Sequence, residues 1–303
     1  MIVREIARSA LASVIHRLKT VKVGHRIAGT RLASIVCGGG AVIARLRCGS
    51  QAVVFANEYV GRVMYLWGDY DPRITAVIKR VLREGDTVLD IGANFGVTGL
   101  LAAKCVGPSG RVHLFEPQPV VASCLRTSVL INGYANATVH ECALSDRAGS
   151  ACMTIQVRSN WGMTRLSPRT NGSNPTSQIC VRTECAGDYL PSLGLGDIAL
   201  VKMDVEGHEA VILASMRTWL AEVRPPVILF ECNLDGSRFH EHPSVRLLCG
   251  LGYRFFGIDM KPLWHTRLYA VKEDAHPIGQ DFVAVRWQGL DEDRRHGLEA
   301  MLA

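Results

Sequence analysis

Residues 2–18 place Val3, Ile6, Ala7, Ala10, Leu11, Val14, Ile15 and Leu18 on one helical stripe, with Arg4, Arg8, Arg17 and Lys19 off it. That period is the signature of an amphipathic helix. Its apolar stripe suits packing on the chain's own domain or on a second subunit, and its basic polar face also suits an anionic membrane surface. Residues 33–65 read as short β segments with turns at Gly38 to Gly40, Gly49 and Gly61. After them Asp71-Pro72 reads as a helix cap followed by proline at the first helical position. Ile74, Val77, Ile78, Val81 and Leu82 form the buried stripe, and Gly85 takes the position just past the helix end.

From residue 87 the pattern alternates between short apolar runs and helical periods. The sequence predicts a strand at 87–90, a helix at 97–105, a strand at 112–115, a helix at 120–131 and a strand at 137–142. Such alternation builds right-handed βαβ crossovers and a mostly parallel sheet with helices on both faces. Residues 150–186 interrupt it with two β-like runs around a stretch, 167–178, rich in Ser, Thr, Asn, Pro and Gly, which reads as a hairpin insertion with a mobile tip and a candidate substrate lid. The alternation resumes with a strand at 198–203, a helix at 209–220, a strand at 227–231, a helix at 244–251 and strands at 253–258 and 281–287. The expected organisation is an N-terminal segment, 1–55, followed by one α/β domain, 56–303.

Composition changes this picture little. The 303 residues are 48% hydrophobic and 20% charged, which excludes a disordered chain, and no apolar run reaches the roughly 18 to 20 residues a membrane span needs. Arg8 interrupts the run from Ile6 to Ile15, so no secretory signal is expected. The basic charge is local, since residues 1–56 hold nine Lys or Arg against Glu5 alone. Ten cysteines without a C-x-x-C spacing read as packed free thiols in a cytoplasmic protein rather than as a zinc or redox site.

The chemistry concentrates in Val88-Leu89-Asp90-Ile91-Gly92-Ala93-Asn94-Phe95-Gly96, a strand ending in an acid and turning through glycines into a helix. Ligands of open α/β sheets bind at the carboxyl ends of the strands, and Gly92 and Gly96 allow close approach there. Twenty residues after Gly96, Glu116-Pro117 ends the next strand with a carboxylate suited to ribose hydroxyls. A dinucleotide loop would carry glycine where Asn94 stands, and a short-chain dehydrogenase loop would carry glycine at Thr98. S-adenosylmethionine has no phosphates and does not need that opening, so Asp90, Gly92, Ala93, Asn94, Gly96 and Glu116 are read as its site. An NAD(P)-dependent oxidoreductase and a non-catalytic membrane-surface protein are the alternatives.

The chain resembles the FkbM family of S-adenosylmethionine-dependent methyltransferases. The resemblance rests on Gly68-Asp69-Tyr70-Asp71-Pro72, the stretch from Gly85 to Gly96, Phe115-Glu116-Pro117, Ala143-Leu144-Ser145-Asp146, Lys202-Met203-Asp204-Val205-Glu206-Gly207-His208-Glu209, Phe230-Glu231 and Asp281-Phe282-Val283-Ala284-Val285. It implies a class I methyltransferase fold of seven strands with the last antiparallel. It also implies methyl transfer to a hydroxyl of a sugar, glycolipid or other natural product. Asp71, where the family usually has Glu, and His113, inside a strand, depart from the pattern.

Within this frame Asp204 ends the fourth strand near the reacting atoms, and His208 is the first candidate for a general base, with Asp204 and Glu206 behind it. Glu209 reads as a first-turn acid that suits the helix dipole. Pro117, Cys142, Ala143 and Asp146 are expected around the adenosine. Asp204, Glu206 and Glu231 are the one triad of oxygens that would hold Mg²⁺, a metal that is not favoured. Nucleic acid is not expected as substrate, because the chain has no Pro-Cys dipeptide and Asp204-Val205-Glu206-Gly207 stands in place of Asn-Pro-Pro-aromatic. His240-Glu241-His242 reads as a solvated loop, since residues i and i+2 do not share a helix face.

Overall fold

A computed structural model describes residues 12, 21–155, 165–167, 177–234, 238–260, 265–271 and 280–302. Of the helix expected over 2–18 only Ala12 is described, as helical and packed against an apolar cluster; the rest of it and the tip of the insertion, with its lid role, lie outside the described residues.

The described elements start with α1 (Val21–Ala28) and α2 (Arg31–Cys37), the second capped by Thr30, whose hydroxyl accepts from Ala33 N. A hairpin follows, β1 (Ala41–Arg45) and β2 (Gln51–Phe55), with inward positions alternating along β1. The expected β run over 33–65 therefore needs correcting at both ends. Residues 31–37 are helical, and so is α3 (Tyr59–Trp67), capped by Glu58. Gly61 makes no turn. It lies inside α3 where a Cβ would stand 2.4 Å from the Phe55 carbonyl, so glycine is needed for close packing.

Asp71 caps α4 (Pro72–Val81) as expected. That helix ends with Leu82 already extended, so Gly85, at φ +87°, shapes the turn into the next strand and is not the residue just past the helix end. The sheet then grows through β3 (Thr87–Ile91), α5 (Val97–Val106), β4 (Arg111–Phe115), α6 (Pro119–Ile131) and β5 (Ala137–His140). β5 stops two residues short of expectation, because Cys142 leads into β6 (Ala143–Ser145), which belongs to a second sheet.

That second sheet is the insertion. β7 (Gly149–Ile155), β8 (Arg165–Ser167) and β9 (Ser177–Cys185) join β6 in the order β6-β9-β7-β8, with β7 antiparallel to β9 and β6 parallel to it. α7 (Ala186–Ser192) returns the chain to the main sheet at β10 (Leu200–Met203). The helix expected over 209–220 is two, α8 (Glu209–Ser215) and α9 (Arg217–Val223), broken at Met216. β11 (Val227–Glu231), α10 (Pro243–Gly250), β12 (Arg254–Met260), β13 (Thr266–Ala270), β14 (Asp281–Val285) and α11 (Glu292–Glu299) complete the chain.

The main sheet has the order β13-β12-β14-β11-β10-β3-β4-β5. β5, β4, β3, β10 and β11 run parallel, while β14 is antiparallel to both β11 and β12. This is the class I methyltransferase arrangement with its reversed final strand, extended by one strand, β13, at the edge. Two apolar clusters cover the two faces of the sheet. A third joins the hairpin and α3 to Phe95, Leu100, Val121 and Cys124, so the N-terminal segment packs on the loop that follows β3. Trp67 and Phe95 are buried in that third cluster, each worth about 1.5–3 kcal/mol.

Candidate active site

The loop after β3 is shaped by three residues at positive φ, Gly92 (+81°), Asn94 (+50°) and Gly96 (+86°). A Cβ on Gly92 would lie 1.9 Å from the Asp204 carbonyl, so only glycine lets the loops after β3 and β10 touch. Asn94 tolerates the left-handed region, and its Oδ1 accepts from Phe95 N at 2.8 Å, which folds its side chain back on the loop. The amides of Gly92 and Ala93 both donate to Phe115 O at 3.0 Å, tying the loop to the end of β4.

Glu116 is buried there, its two carboxylate oxygens accepting from Asn94 N and Gln118 N at 2.9 Å each. Burial raises its pKa to about 7, against the lowering effect of those two amides and of Lys202. Phe115 beside it stacks on His140 with ring centroids 4.5 Å apart. Glu116, Pro117, Cys142 and Ala143 line one cavity of about 440 Å³ together with Gly92, Ala93, Asn94, Gly96, Asp204, Glu206 and His208. The volume falls in the roughly 300–1,000 Å³ range of small-molecule sites.

Two residues expected at the cofactor do not line this cavity. Asp90 is 2% exposed and lies beneath the loop, accepting from Thr98 Oγ1 at 2.6 Å, with Lys202 Nζ 3.3 Å from its other oxygen. Strand β3 is buried at every position, so Asp90 faces the protein interior and supports the loop from beneath. Asp146 stands on the rim, half exposed and beside Arg147, because β6 ends one residue before it.

Lys202, which the sequence reading passed over, binds these parts together. It donates to Gly92 O at 2.9 Å and lies 3.6 Å from Asp204. Burial disfavours its charge, but Asp90 and Asp204 outweigh that and hold its pKa above the ordinary value. On the following loop Glu206 takes φ +57°, a conformation costing about 1 to 3 kcal/mol. Glu209 holds that loop in place, its Oε1 accepting from Val205 N at 2.9 Å. Glu209 is an acid of the first turn of α8, as expected, and at 3% exposed it is also a buried brace. His208 stands at the N-cap position of α8 without a side-chain capping bond, and its Nε2 lies 2.9 Å from Ser145 Oγ. Burial lowers its pKa, which favours the neutral imidazole, and Asp146 partly opposes this.

The far wall of the cavity carries Tyr70, Asp71, Arg73, Glu231 and Asp281. Arg73 donates to both Asp71 and Asp281, the latter at 2.7 Å. Burial raises the pKa of Glu231 to about 8, helped by Asp204 and Glu206, and that of Asp281 to about 6. His25 reaches the same wall from α1, donating from Nε2 to Tyr70 O at 2.8 Å and accepting at Nδ1 from the Tyr59 hydroxyl. Of these, Tyr70, Asp71, Glu231 and Asp281 stand in the stretches that carry the resemblance. His25 and Arg73 arrive by tertiary packing. Among the described residues no group of three His, Cys, Asp or Glu is arranged to hold a metal ion, so Asp204, Glu206 and Glu231 do not form the triad considered above. His240 is no solvated loop residue, since its ring packs edge-on against Phe239 and Phe255.

The sequence profile described as Methyltransferase FkbM domain matches residues 90–255. A curated relative, 31-O-demethyl-FK506 methyltransferase FkbM of Streptomyces tacrolimicus, is 32% identical over 161 residues, or 45% of this chain and 61% of that protein. The chain thus spans less than two thirds of that relative. Protein-L-isoaspartate O-methyltransferase of Ignicoccus hospitalis is 40% identical over 58 residues, 19% of this chain and 28% of that protein. Among solved structures, precorrin-6y C5,15-methyltransferase of Geobacter metallireducens superposes with a TM-score of 0.40 at 17% identity, covering 71% of this chain and 88% of that one.

Proposed function

The chain belongs to the FkbM methyltransferase family, and from that premise we propose that it transfers a methyl group from S-adenosylmethionine to a hydroxyl oxygen of a sugar, glycolipid or other natural product. The carrying observation is electrostatic. Six carboxyl groups line the cavity (Asp71, Glu116, Asp204, Glu206, Glu231 and Asp281) against two cations, Arg73 and Lys202, both already engaged by carboxylates. Such a cavity suits a sulfonium cation and repels the two phosphates of a dinucleotide. When bound, the cofactor supplies an electrophilic methyl group.

Glu116 accepts the ribose hydroxyls with its remaining lone pairs, and Phe115, Pro117, Cys142 and Ala143 provide the wall for the adenine. The Gly92 to Gly96 loop, whose amides are engaged within the protein, and Asp204 face the amino-acid end. His208, neutral and on the cavity wall, takes the proton of the acceptor hydroxyl, with Asp204 and Glu206 as the secondary candidates. The oxygen acceptor named in the description of the Streptomyces relative agrees with this reading.

The reaction is tested by incubating the full chain with methyl-labelled S-adenosylmethionine and a fractionated cell extract. Label is expected in a neutral, hydroxyl-bearing small molecule or glycan, and label confined to nucleic acid would overturn the reading. All ten cysteines are free, which supports a reducing cytoplasmic setting. No helix among the described residues is long and apolar enough to cross a membrane. The stripe over residues 2–18 supports packing on the chain's own domain or a second subunit. Liposome flotation with and without residues 1–20 separates that role from membrane contact.

A further inference from the structure

β6 ends at Ser145, which the parallel ladder to β9 sets opposite Cys185, so the insertion sheet delivers this serine against the start of α8. Ser145 is 7% exposed. Its Oγ lies 2.9 Å from His208 Nε2 and 3.1 Å from Asp146 Oδ1. A hydroxyl has one proton to give, and an ionised carboxylate only accepts. With that proton directed to Asp146, Ser145 Oγ accepts from His208, and Nε2 must carry the ring hydrogen.

We propose that Asp146 and Ser145 form a hydrogen-bonded chain that fixes His208 as its Nε2–H tautomer and leaves Nδ1 as the basic atom for the acceptor hydroxyl. The proposal rests on the reading of His208 as the base. It gives Asp146, which does not reach the cofactor cavity, a positioning role. Nδ1 has no hydrogen-bond partner among the described residues, whereas Nε2 is held. The proton taken from the acceptor ends on Nδ1, no proton travels along the chain, and the imidazolium so formed is stabilised by the Asp146 charge through Ser145.

The other titratable groups on this part of the cavity wall are Asp204, Glu206 and Glu231, while Glu209 on the same helix is turned to Val205 N. On the outer side Arg147 lies 3.4 Å from the same Asp146 oxygen and tempers its charge. Among the described residues, Asp146 raises the His208 pKa against the larger, lowering effect of burial.

The test is imidazole nitrogen NMR of the full chain loaded with S-adenosylhomocysteine and followed through a pH titration. The wild type is expected to show the Nε2–H tautomer, Ser145→Ala a mixture of both tautomers, and Asp146→Asn a loosened preference with a downward shift of the His208 pKa. A wild-type Nδ1–H tautomer, or spectra unmoved by both substitutions, would overturn the proposal. Asp146 is on the exposed rim, so its variant keeps the test open if Ser145→Ala does not fold. Turnover of His208→Ala judges the base reading separately. Normal turnover removes both the base and the purpose of the chain, whereas lowered turnover beside an unmoved tautomer removes the chain alone.

Discussion

Gly92, Lys202 and His208 show how differently single residues contribute to this site. A side chain at Gly92 meets the Asp204 carbonyl at 1.9 Å and takes a left-handed φ. Gly92→Ala is therefore expected to cost about 1–3 kcal/mol from overpacking, with strain added, read as a lowered denaturant midpoint. Lys202→Met leaves Asp90 buried without its cation, which is expected to cost about 3–5 kcal/mol in the same assay. His208→Ala should leave the fold and cofactor affinity intact while lowering turnover about 10²- to 10⁴-fold. The places of Gly92, Glu116 and His208 on the cavity wall were legible in the sequence, because residue type and spacing put them at strand ends and helix starts. The inward turn of Asp90 was not. An acid at a strand end reads the same whether it faces a ligand or a buried lysine 112 residues away.

At the scale of elements, the strand ends on one side of the cavity crowd carboxyls together. Glu231 closes β11 and pairs in register with Asp281, which opens β14. The folded pKa of Glu231, about 8, lies above its ordinary value, with burial the largest cause. The folded chain therefore binds more protons than the unfolded one between the ordinary glutamate range and pH 8, and stability contributed by this group is lost as pH rises through that window. Thermal unfolding of the ligand-free chain is expected to show a melting temperature that falls from pH 6 to pH 8.5, with a shallower fall in Glu231→Gln. The βαβ elements were legible because their periods alternate cleanly and caps such as Asp71-Pro72 mark their starts. The break at Met216 was hidden in a continuous helical pattern, and α3 was hidden by the glycine at position 61, whose reason is a contact with Phe55 that only the folded chain makes.

For the whole molecule, the net charge of +6 misleads about the site, because the excess of positive charge lies in the first 56 positions, nine Lys or Arg against Glu5, while the cavity is lined by carboxyls. The sign of the cavity is what separates a sulfonium cofactor from a dinucleotide. Because a bound cation favours ionised Glu231 and Glu116, its binding releases protons, so affinity for S-adenosylmethionine is expected to rise from pH 6 to pH 8. Affinity for the uncharged thioether product S-adenosylhomocysteine should rise less over the same range. The most direct measurement is isothermal calorimetry of the full chain and its Glu116→Ala variant with S-adenosylmethionine, with NADH as the control. The expected result is saturable binding to the wild type, at least tenfold weaker binding to the variant for the loss of a charged hydrogen-bond acceptor worth about 1.5–3 kcal/mol, and no heat with NADH. No heat with S-adenosylmethionine, equal affinity in the variant, or tighter binding of NADH would contradict a sulfonium site built around Glu116.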